Sequence, residues 1–221
     1  MKKYSLSHAP QGLADLVQSD LDLFTPVKSH LEIHTFDNRD KIISAGGPIS
    51  YLYLLVKGKA KISMLHEDGS SSIVHFVHPK ELIGELTLVG VEDHPKDVIS
   101  IGQTTCLAVP MTSAKFHLLS ENKFLLEMTR YIGSKLLDRT WFNAKQQHYE
   151  LKHRLADYIL KCECDGLFSE KHTETAQYLA VSYRHLLHTI QWFKSEGILH
   201  KTSGGYTFDK NALEALASVL T

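Results

Sequence analysis

The stretch HTETAQYLAVSYRHLLHTIQWFKSEGILHKTSGGYTF, residues 172–208, decides the fold of this chain. Its apolar residues recur at helical spacing, which predicts helices over Thr173–Leu179 and Tyr183–Ser195. The three residues between them, Ala180-Val181-Ser182, predict a tight turn. Two short helices joined in this way are typical of a helix-turn-helix.

The ends of the second helix carry residues that helix ends prefer. The Ser182 hydroxyl can accept a hydrogen bond from a backbone N–H two or three residues later, and Gly197 follows the last turn at the C′ position. Apolar positions of both helices predict one shared core, made of Ala176, Leu179, Val181, Leu186 and Ile190.

The residues after Gly197 predict a wing, because the short strands Ile198–Lys201 and Tyr206–Phe208 flank a Gly-Gly turn. A winged helix-turn-helix indicates DNA binding, in which the first residues of the second helix meet base edges in the major groove. Arg184 is the predicted base reader, since arginine recognises guanine best. The predicted DNA-binding residues are Ser182, Tyr183, Arg184, His185, His188 and Lys201.

Helices are also predicted upstream, over Leu151–Cys162 and, at greater length, from about Lys123 to Gln147. A helix of about 24 residues would be about 36 Å long. Four apolar residues mark one face of it: Leu125, Met128, Ile132 and Leu136. This face either packs on the protein's own β-domain or pairs with the same helix of a second subunit, and a dimer is the preferred interpretation.

From about residue 27 to 110, short apolar runs separated by Gly, Pro, Asp and Ser predict a jelly roll or barrel. Glu67-Asp68-Gly69-Ser70 suits a hairpin turn, and Gly58 is predicted to divide one long apolar run into two strands. The predicted strands are Leu31–Phe36, Lys41–Ser44, Tyr51–Val56, Lys59–Leu65, Ser72–Val77 and Val98–Pro110.

The composition, with 43% hydrophobic and 22% charged residues, is typical of a globular protein. The N-terminus lacks the apolar stretch of a signal peptide, and no run of about 18 apolar residues occurs, so we expect a cytoplasmic protein with no contact to membranes. A net charge of −1 gives no general attraction for nucleic acid, so DNA binding must depend on a local patch.

In their order, these motifs resemble the CRP/FNR family of bacterial transcription regulators over nearly the whole chain. The most specific local match is Leu82-Ile83-Gly84-Glu85-Leu86, which resembles the start of the family's phosphate-binding cassette. The run from His172 to Leu187 is similar to YeiL-type members. The resemblance implies an α+β fold: a cyclic-nucleotide-binding-type β-roll (jelly roll) in residues 1–120, a dimerisation helix in 121–148 and a winged helix-turn-helix in 149–221.

The resemblance also implies a homodimer that binds a palindromic operator in double-stranded DNA and contacts RNA polymerase. The two recognition helices would then lie about 34 Å apart, one helical turn of DNA. A signal received by the β-roll would act by shifting that spacing.

In family members that bind cyclic AMP, the cassette glutamate holds the ribose, and an arginine followed by a serine holds the cyclic phosphate. Glu85 matches the glutamate, whereas Lys96 and Asp97 stand at the arginine and serine positions. Lysine lacks the bidentate fork of arginine, and a carboxylate repels an anion. We therefore expect a degenerate effector pocket that does not respond to cyclic AMP, made of Gly84, Glu85, Leu86, Lys96 and Asp97.

The sequence predicts no metal, cofactor or catalytic residue. Cys106, Cys162 and Cys164 are too few for a disulfide framework, and none lies where oxygen-sensing relatives carry their N-terminal cysteine cluster. Cys162 and Cys164 could bring four thiols together in a dimer, although unpaired thiols are the preferred interpretation. His75, His78 and His94 lack the His-x-His spacing of cupin enzymes.

Three other interpretations stay open at this point. One is a metal-dependent, cupin-like enzyme built on the β-roll, with His75 or His78 as a ligand. Another is an interaction module that binds no DNA. The third is a constitutive regulator without an effector, which would bind its operator equally under all conditions.

Overall fold

The computed structural model describes residues 1–18, 22–66, 69 and 71–220. The chain forms two compact units. The first comprises Met1–Leu65 and Val74–Gly133, and the second comprises His66–Ile73 together with the residues from Ser134 onward.

The first unit is a β-roll. Its strands are β1 (Lys2–Ser5), β2 (Glu32–Phe36), β3 (Lys41–Ile43), β4 (Tyr51–Leu65), β6 (Leu82–Ile83), β7 (Asp97–Pro110) and the larger part of β5 (Ser71–Val77), whose first three residues belong to the second unit. They form a sheet in the order β1-β2-β7-β4-β5, with β3 also on β7 and β6 also on β4. The central strand β7 pairs antiparallel with β2, β3 and β4, which confirms the predicted β-roll.

The prediction that Gly58 divides two strands is wrong, because β4 is one continuous strand. Gly58 has a φ of +92°, and a Cβ there would lie 2.5 Å from the carbonyl oxygen of Gln103. The register between β4 and β7 shifts on either side of Lys57. The glycine therefore permits a bulge and a close backbone approach within the strand, where the sequence pattern had predicted a turn.

Alternate residues of the strands face two hydrophobic clusters. One cluster lies within the roll and includes Phe36, Tyr53, Leu55, Val77 and Cys106. The other joins the sheet to neighbouring helical segments and includes Val17, Phe24, Ile33, Leu52 and Leu107. The α-helices that lie wholly within this unit are α1 (Gln11–Val17), α2 (Glu85–Leu88) and α3 (Met111–Ser113), and further helical segments are the 3-10 segments Leu6–His8 and Asp22–His30 and the π-helical segment Ala114–Leu118. Burial of both strand faces explains the near-continuous apolar runs of β4 and β7.

The predicted hairpin turn lies mostly outside the described residues, which include only Gly69 of its four positions. Gly69 has a φ of +78°, and its N–H donates to the carbonyl oxygen of His66 over 3.0 Å. The positive φ agrees with the role proposed for this glycine.

The long helix α4 runs over Asn122–His148, close to the predicted bounds. One part of its apolar face is buried against the β-roll, and another part is exposed. Phe124 and Met128 are buried in the β-roll core, and Ile132 packs against the same cluster. Met128 therefore packs on its own unit, so the dimer seam is wrong for this residue, while Ile132 is half-buried against the same unit. For the residues of this face that stay exposed, Leu125 and Leu136, the dimer seam stays a prediction.

The second unit contains α5 (Leu151–Cys162), α6 (His172–Tyr178), α7 (Tyr183–Ser195), β8 (Leu199–Thr202), β9 (Gly205–Phe208) and α8 (Lys210–Ala217). Helices α5 and α7 have the predicted bounds. The sequence analysis missed α8, whose first turn is capped by the Asp209 carboxylate accepting from the Ala212 N–H over 3.1 Å. Fully buried side chains form the core of this unit: Leu155, Ile159, Phe168, Leu186 and Phe193.

Within the described part of the chain, no helix combines the length and the apolar character needed to cross a membrane.

Candidate nucleic-acid interface and effector pocket

The turn between α6 and α7 is built as the sequence predicts. The N–H of Val181 donates to the carbonyl oxygen of Ala176 over 3.0 Å, and Ala180 holds a positive φ of 51°. The Ser182 hydroxyl accepts from the His185 N–H over 3.2 Å, which confirms the N-cap. After the helix, Gly197 has a φ of +71°, as a C′ glycine should.

The predicted core of the two helices is confirmed with one difference. Ala176, Leu179, Leu186 and Ile190 are buried, whereas Val181 in the turn is half-buried. Burial of this side of α7 leaves its opposite side in solvent. The structure places all of the predicted contact residues on the exposed surface: Ser182, Tyr183, Arg184, His185, His188 and Lys201.

The wing is held to the body of the second unit by a backbone bridge. Phe168 and Tyr206 exchange two N–H to carbonyl hydrogen bonds, each 2.9 Å long. Gly205 has a φ of +149°, and any Cβ there would overlap the Phe168 carbonyl oxygen. Glycine is therefore required at Gly205 for the wing to approach this segment.

His172 lies beside the predicted contact residues, although no sequence pattern indicated it. Its ring stacks on Tyr206 of the wing, with centroids 5.7 Å apart and planes at 28°. The Tyr183 ring, at the start of α7, lies 6.5 Å away. Burial lowers the pKa of His172 below 6.5, and the charge of Lys201 lowers it further. No local sequence signal could reveal this contact, because the three rings come from separate elements.

The residues of the predicted effector pocket lie at and after β6. Gly84 has a φ of +91°, and a Cβ there would lie 3.4 Å from both the Ile49 side chain and the Tyr51 carbonyl oxygen. Glu85 opens α2 and is buried, and Leu86 is half-buried. The glycine thus permits the tight strand-to-helix turn that buries Glu85.

The charged groups of Lys96 and Asp97 are engaged within the β-roll. Lys96 donates to the Glu92 carboxylate four residues earlier. The Asp97 carboxylate accepts from Lys41 Nζ at 3.0 Å and from the backbone N–H of Ala45 at 2.7 Å. Asp97 therefore fixes β3 and the following loop to the start of β7.

A buried histidine in the roll was also missed. His34 is fully buried, with Nε2 2.7 Å from the Glu32 carboxylate and Nδ1 3.3 Å from the Tyr53 hydroxyl. Burial lowers the pKa of His34 below 6.5, although the hydrogen bond to Glu32 acts in the opposite direction. The alternation of β2 could have indicated it, since His34 falls between Ile33 and Thr35 on the face shared with Phe36.

The histidines considered for a metal site do not converge. His75 Nε2 lies 3.0 Å from the Glu81 carboxylate, and His94 is exposed. Across residues 1–18, 22–66, 69 and 71–220, no three His, Cys, Asp or Glu side chains are grouped to hold a metal ion. Of the cysteines, Cys106 and Cys162 are buried, and burial raises the pKa of the Cys106 thiol.

Comparison with known proteins first defines the class. The family model described as the cyclic nucleotide-binding domain matches residues 33–117. A transcriptional regulator of the crp/fnr family from Eubacterium rectale has a similar structure, with a TM-score of 0.71 at 15% sequence identity, covering 91% of this chain and 97% of the other. The fold is thus a cyclic-nucleotide-binding-type β-roll followed by a helical C-terminal unit, as in regulators of this class.

The sequence comparison then gives the family. The chain is 32% identical to the regulatory protein YeiL of Escherichia coli O157:H7 over 194 residues, which cover 87% of this chain and 89% of YeiL. It is also 28% identical over 91 residues to the cAMP-activated global transcriptional regulator CRP of Salmonella typhimurium, 41% of this chain and 43% of CRP. The chain belongs to the CRP/FNR family of transcriptional regulators.

Proposed function

We propose that this protein is a sequence-specific DNA-binding transcription regulator that acts as a homodimer and does not depend on cyclic AMP. The observation that carries the proposal is the exposed first turn of α7. Ser182 fixes where this helix starts, and Arg184 and His188 lie on its solvent side. An arginine at this place can reach base edges when the helix enters the major groove.

Selection from a pool of randomised duplexes tests the role of Arg184. We expect the wild-type protein to select a palindrome, and Arg184→Ala to relax one base position in each half-site with a loss of about 1–3 kcal/mol. Arg39→Ala, at an exposed turn of the β-roll, is the matched control and should select the wild-type sequence. An unchanged base preference in Arg184→Ala would contradict the assignment.

The homodimer is supported by the apolar residues that α4 leaves in solvent. Leu136, Leu137 and Trp141 are 66%, 63% and 65% exposed, which is unusual for three large apolar side chains on one helix. We propose that this part of α4, with Leu125, pairs with its copy in a second subunit. Residues 1–120, 121–148 and 149–221 would then serve as effector domain, dimerisation helix and DNA-binding domain.

Sedimentation velocity tests the dimer. Leu136→Glu should shift the protein from dimer to monomer, because it places a charge in an apolar seam. Val91→Glu introduces the same side chain at a position that is 73% exposed in the β-roll, and it should remain dimeric. A dimeric Leu136→Glu protein would place the interface elsewhere.

Independence from cyclic AMP is supported by the partners of Lys96 and Asp97. Binding a cyclic phosphate through Lys96 would require its ammonium group to leave Glu92, and Asp97 is committed to Lys41 and the Ala45 amide. A ligand of the native state raises the melting temperature. We expect no rise across a cyclic AMP titration, with a regulator that binds cyclic AMP as positive control. A dose-dependent rise would contradict the proposal.

The cupin-like enzyme has no supporting cluster of metal ligands among the described residues. Contact with RNA polymerase stays a prediction without a residue assignment.

A further inference from the structure

His172 lies between the two parts of the proposed DNA interface. It begins α6, and its ring is stacked on Tyr206 of the wing and close to Tyr183 of the recognition helix. The ring is half-buried, so one part of it still meets solvent. Its position is fixed indirectly by the bridge between Phe168 and Tyr206, since that bridge sets the wing.

A cation lies on the strand that pairs with Tyr206. Lys201 on β8 is directly opposite Tyr206 on β9, and the Tyr206 ring stacks on His172. The ammonium group is exposed, and its charge lowers the pKa of His172. Among the described residues, the rings in contact with His172 are those of Tyr183 and Tyr206, and on its own helix the Glu174 carboxylate lies 3.6 Å from Lys171 Nζ.

We propose that His172 and Lys201 form a proton-coupled binding site for a phosphate of the DNA backbone, with Tyr206 and Tyr183 holding the imidazole ring in place. This inference rests on the proposed function, because it supplies a further contact for the same interface. A neutral imidazole beside Lys201 becomes a second cation when a phosphate arrives, since the anion offsets both the desolvation and the repulsion from Lys201.

The consequence is a pH dependence of DNA affinity with a defined sign. In the free protein, burial and then the charge of Lys201 lower the pKa of His172, which favours the neutral imidazole. The phosphate raises that pKa, so binding takes up a proton and becomes tighter as pH falls. Each unit by which the pKa rises gives up to about a tenfold gain in affinity per site at low pH.

Fluorescence anisotropy with the selected operator duplex at pH 6 and pH 8 tests this site. His172→Phe keeps an aromatic ring for the stack and removes the proton. We expect affinity similar to wild type at pH 8 and about three- to tenfold weaker at pH 6. The slope of affinity against salt at pH 6 should also fall by about one per subunit. His94→Phe, an exposed histidine in the β-roll, should behave as wild type.

The possible outcomes separate three accounts. A weaker pH dependence together with a salt slope smaller by about one per subunit, seen only in His172→Phe, supports the phosphate site. An unchanged pH dependence in His172→Phe overturns it, and so does equal weakening at both pH values, which would make the ring a purely structural part of the stack. If the wild-type protein selects no operator at any pH, the proposed function fails as well, and that result is distinct from the other two.

Discussion

The two candidate sites use their charged side chains in different ways. In the effector pocket, Lys96 and Asp97 are satisfied by other groups of the β-roll. At the start of α7, Tyr183, Arg184 and His185 project into solvent. A ligand entering the first site must displace protein contacts, whereas DNA reaching the second must displace only water.

This contrast supports the proposal that the chain has kept the DNA-binding function of its family and not the response to cyclic AMP. A site whose charges already stabilise the fold can change its ligand only at the expense of stability. Residues on an exposed recognition surface contribute little to the stability of the fold, so they can be chosen for their contacts with DNA bases. The comparison predicts structural effects for substitutions in the pocket and binding effects for substitutions at the interface.

The largest effect is expected from Gly205→Ala in the wing. The new Cβ would overlap the Phe168 carbonyl oxygen, so the bridge between Phe168 and Tyr206 must open. We expect a loss of about 3 kcal/mol in the free energy of unfolding of the second unit, measured by urea denaturation. Gly204→Ala is the control, because its Cβ would make only a 3.4 Å contact with Leu167. Equal stability of the two variants would contradict a required glycine.

The next effect concerns the pocket. Asp97→Ala leaves the Ala45 N–H without its carboxylate acceptor and removes the pairing with Lys41. We expect a loss of about 2 kcal/mol in the stability of the β-roll, mostly from the amide, because the ion pair is partly exposed. Asp93→Ala, at an exposed position in the segment just before β7, should change little. A fully stable Asp97→Ala protein would mean that this carboxylate has no structural role and is available to an effector.

A smaller effect is expected at the interface. Ser182→Ala removes the acceptor of the His185 N–H and should cost about 1 kcal/mol in urea denaturation. Ser203→Ala in the exposed wing turn removes the same hydroxyl where it caps no helix, and it should be neutral. If the two serine variants denature at the same urea concentration, the cap does not stabilise α7.

The smallest effect is a pH dependence within the β-roll. The pKa of His34 lies below 6.5 in the folded state because of burial, so the unfolded chain binds more protons as the pH falls. The contribution of the neutral His34 side chain to the free energy of unfolding is complete above about pH 6.5 and is lost progressively as the pH falls below it. His34→Gln should therefore lose less stability than wild type when the pH is lowered from about 7.5 to about 5.5. His8→Gln, at an exposed position, should lose as much stability as wild type over the same range. Equal losses in wild type and His34→Gln would rule out His34 as the titrating group.

The sequence could predict features that depend on interactions between residues close together in the chain, and it could not predict those that depend on distant residues. The bounds of α5 and α7, the Ser182 cap and the Gly197 terminus follow from side chains within a few residues of each other. Strand β1 was missed because its apolar content is low and it exists through pairing with β2, some thirty residues away. Gly58 was misread because a bulge and a turn both use a positive φ.

The candidate sites show the same limit. Helical spacing placed Met128 and Ile132 on one face of α4, but spacing does not reveal which surface covers a face. The exposed residues of α7 could be predicted, since its buried side is apolar. The stack of His172 on Tyr206 could not, because it depends on how the wing folds back on α6.

The most direct test of this account is the affinity of the purified protein for its selected operator, measured by anisotropy with and without cyclic AMP. The account predicts tight, sequence-specific binding in both conditions with the same Kd, and a relaxed preference at one base position of each half-site in Arg184→Ala. Binding that appears only when cyclic AMP is added would contradict the central claim, because it would show that Lys96 and Asp97 leave their partners to admit the nucleotide.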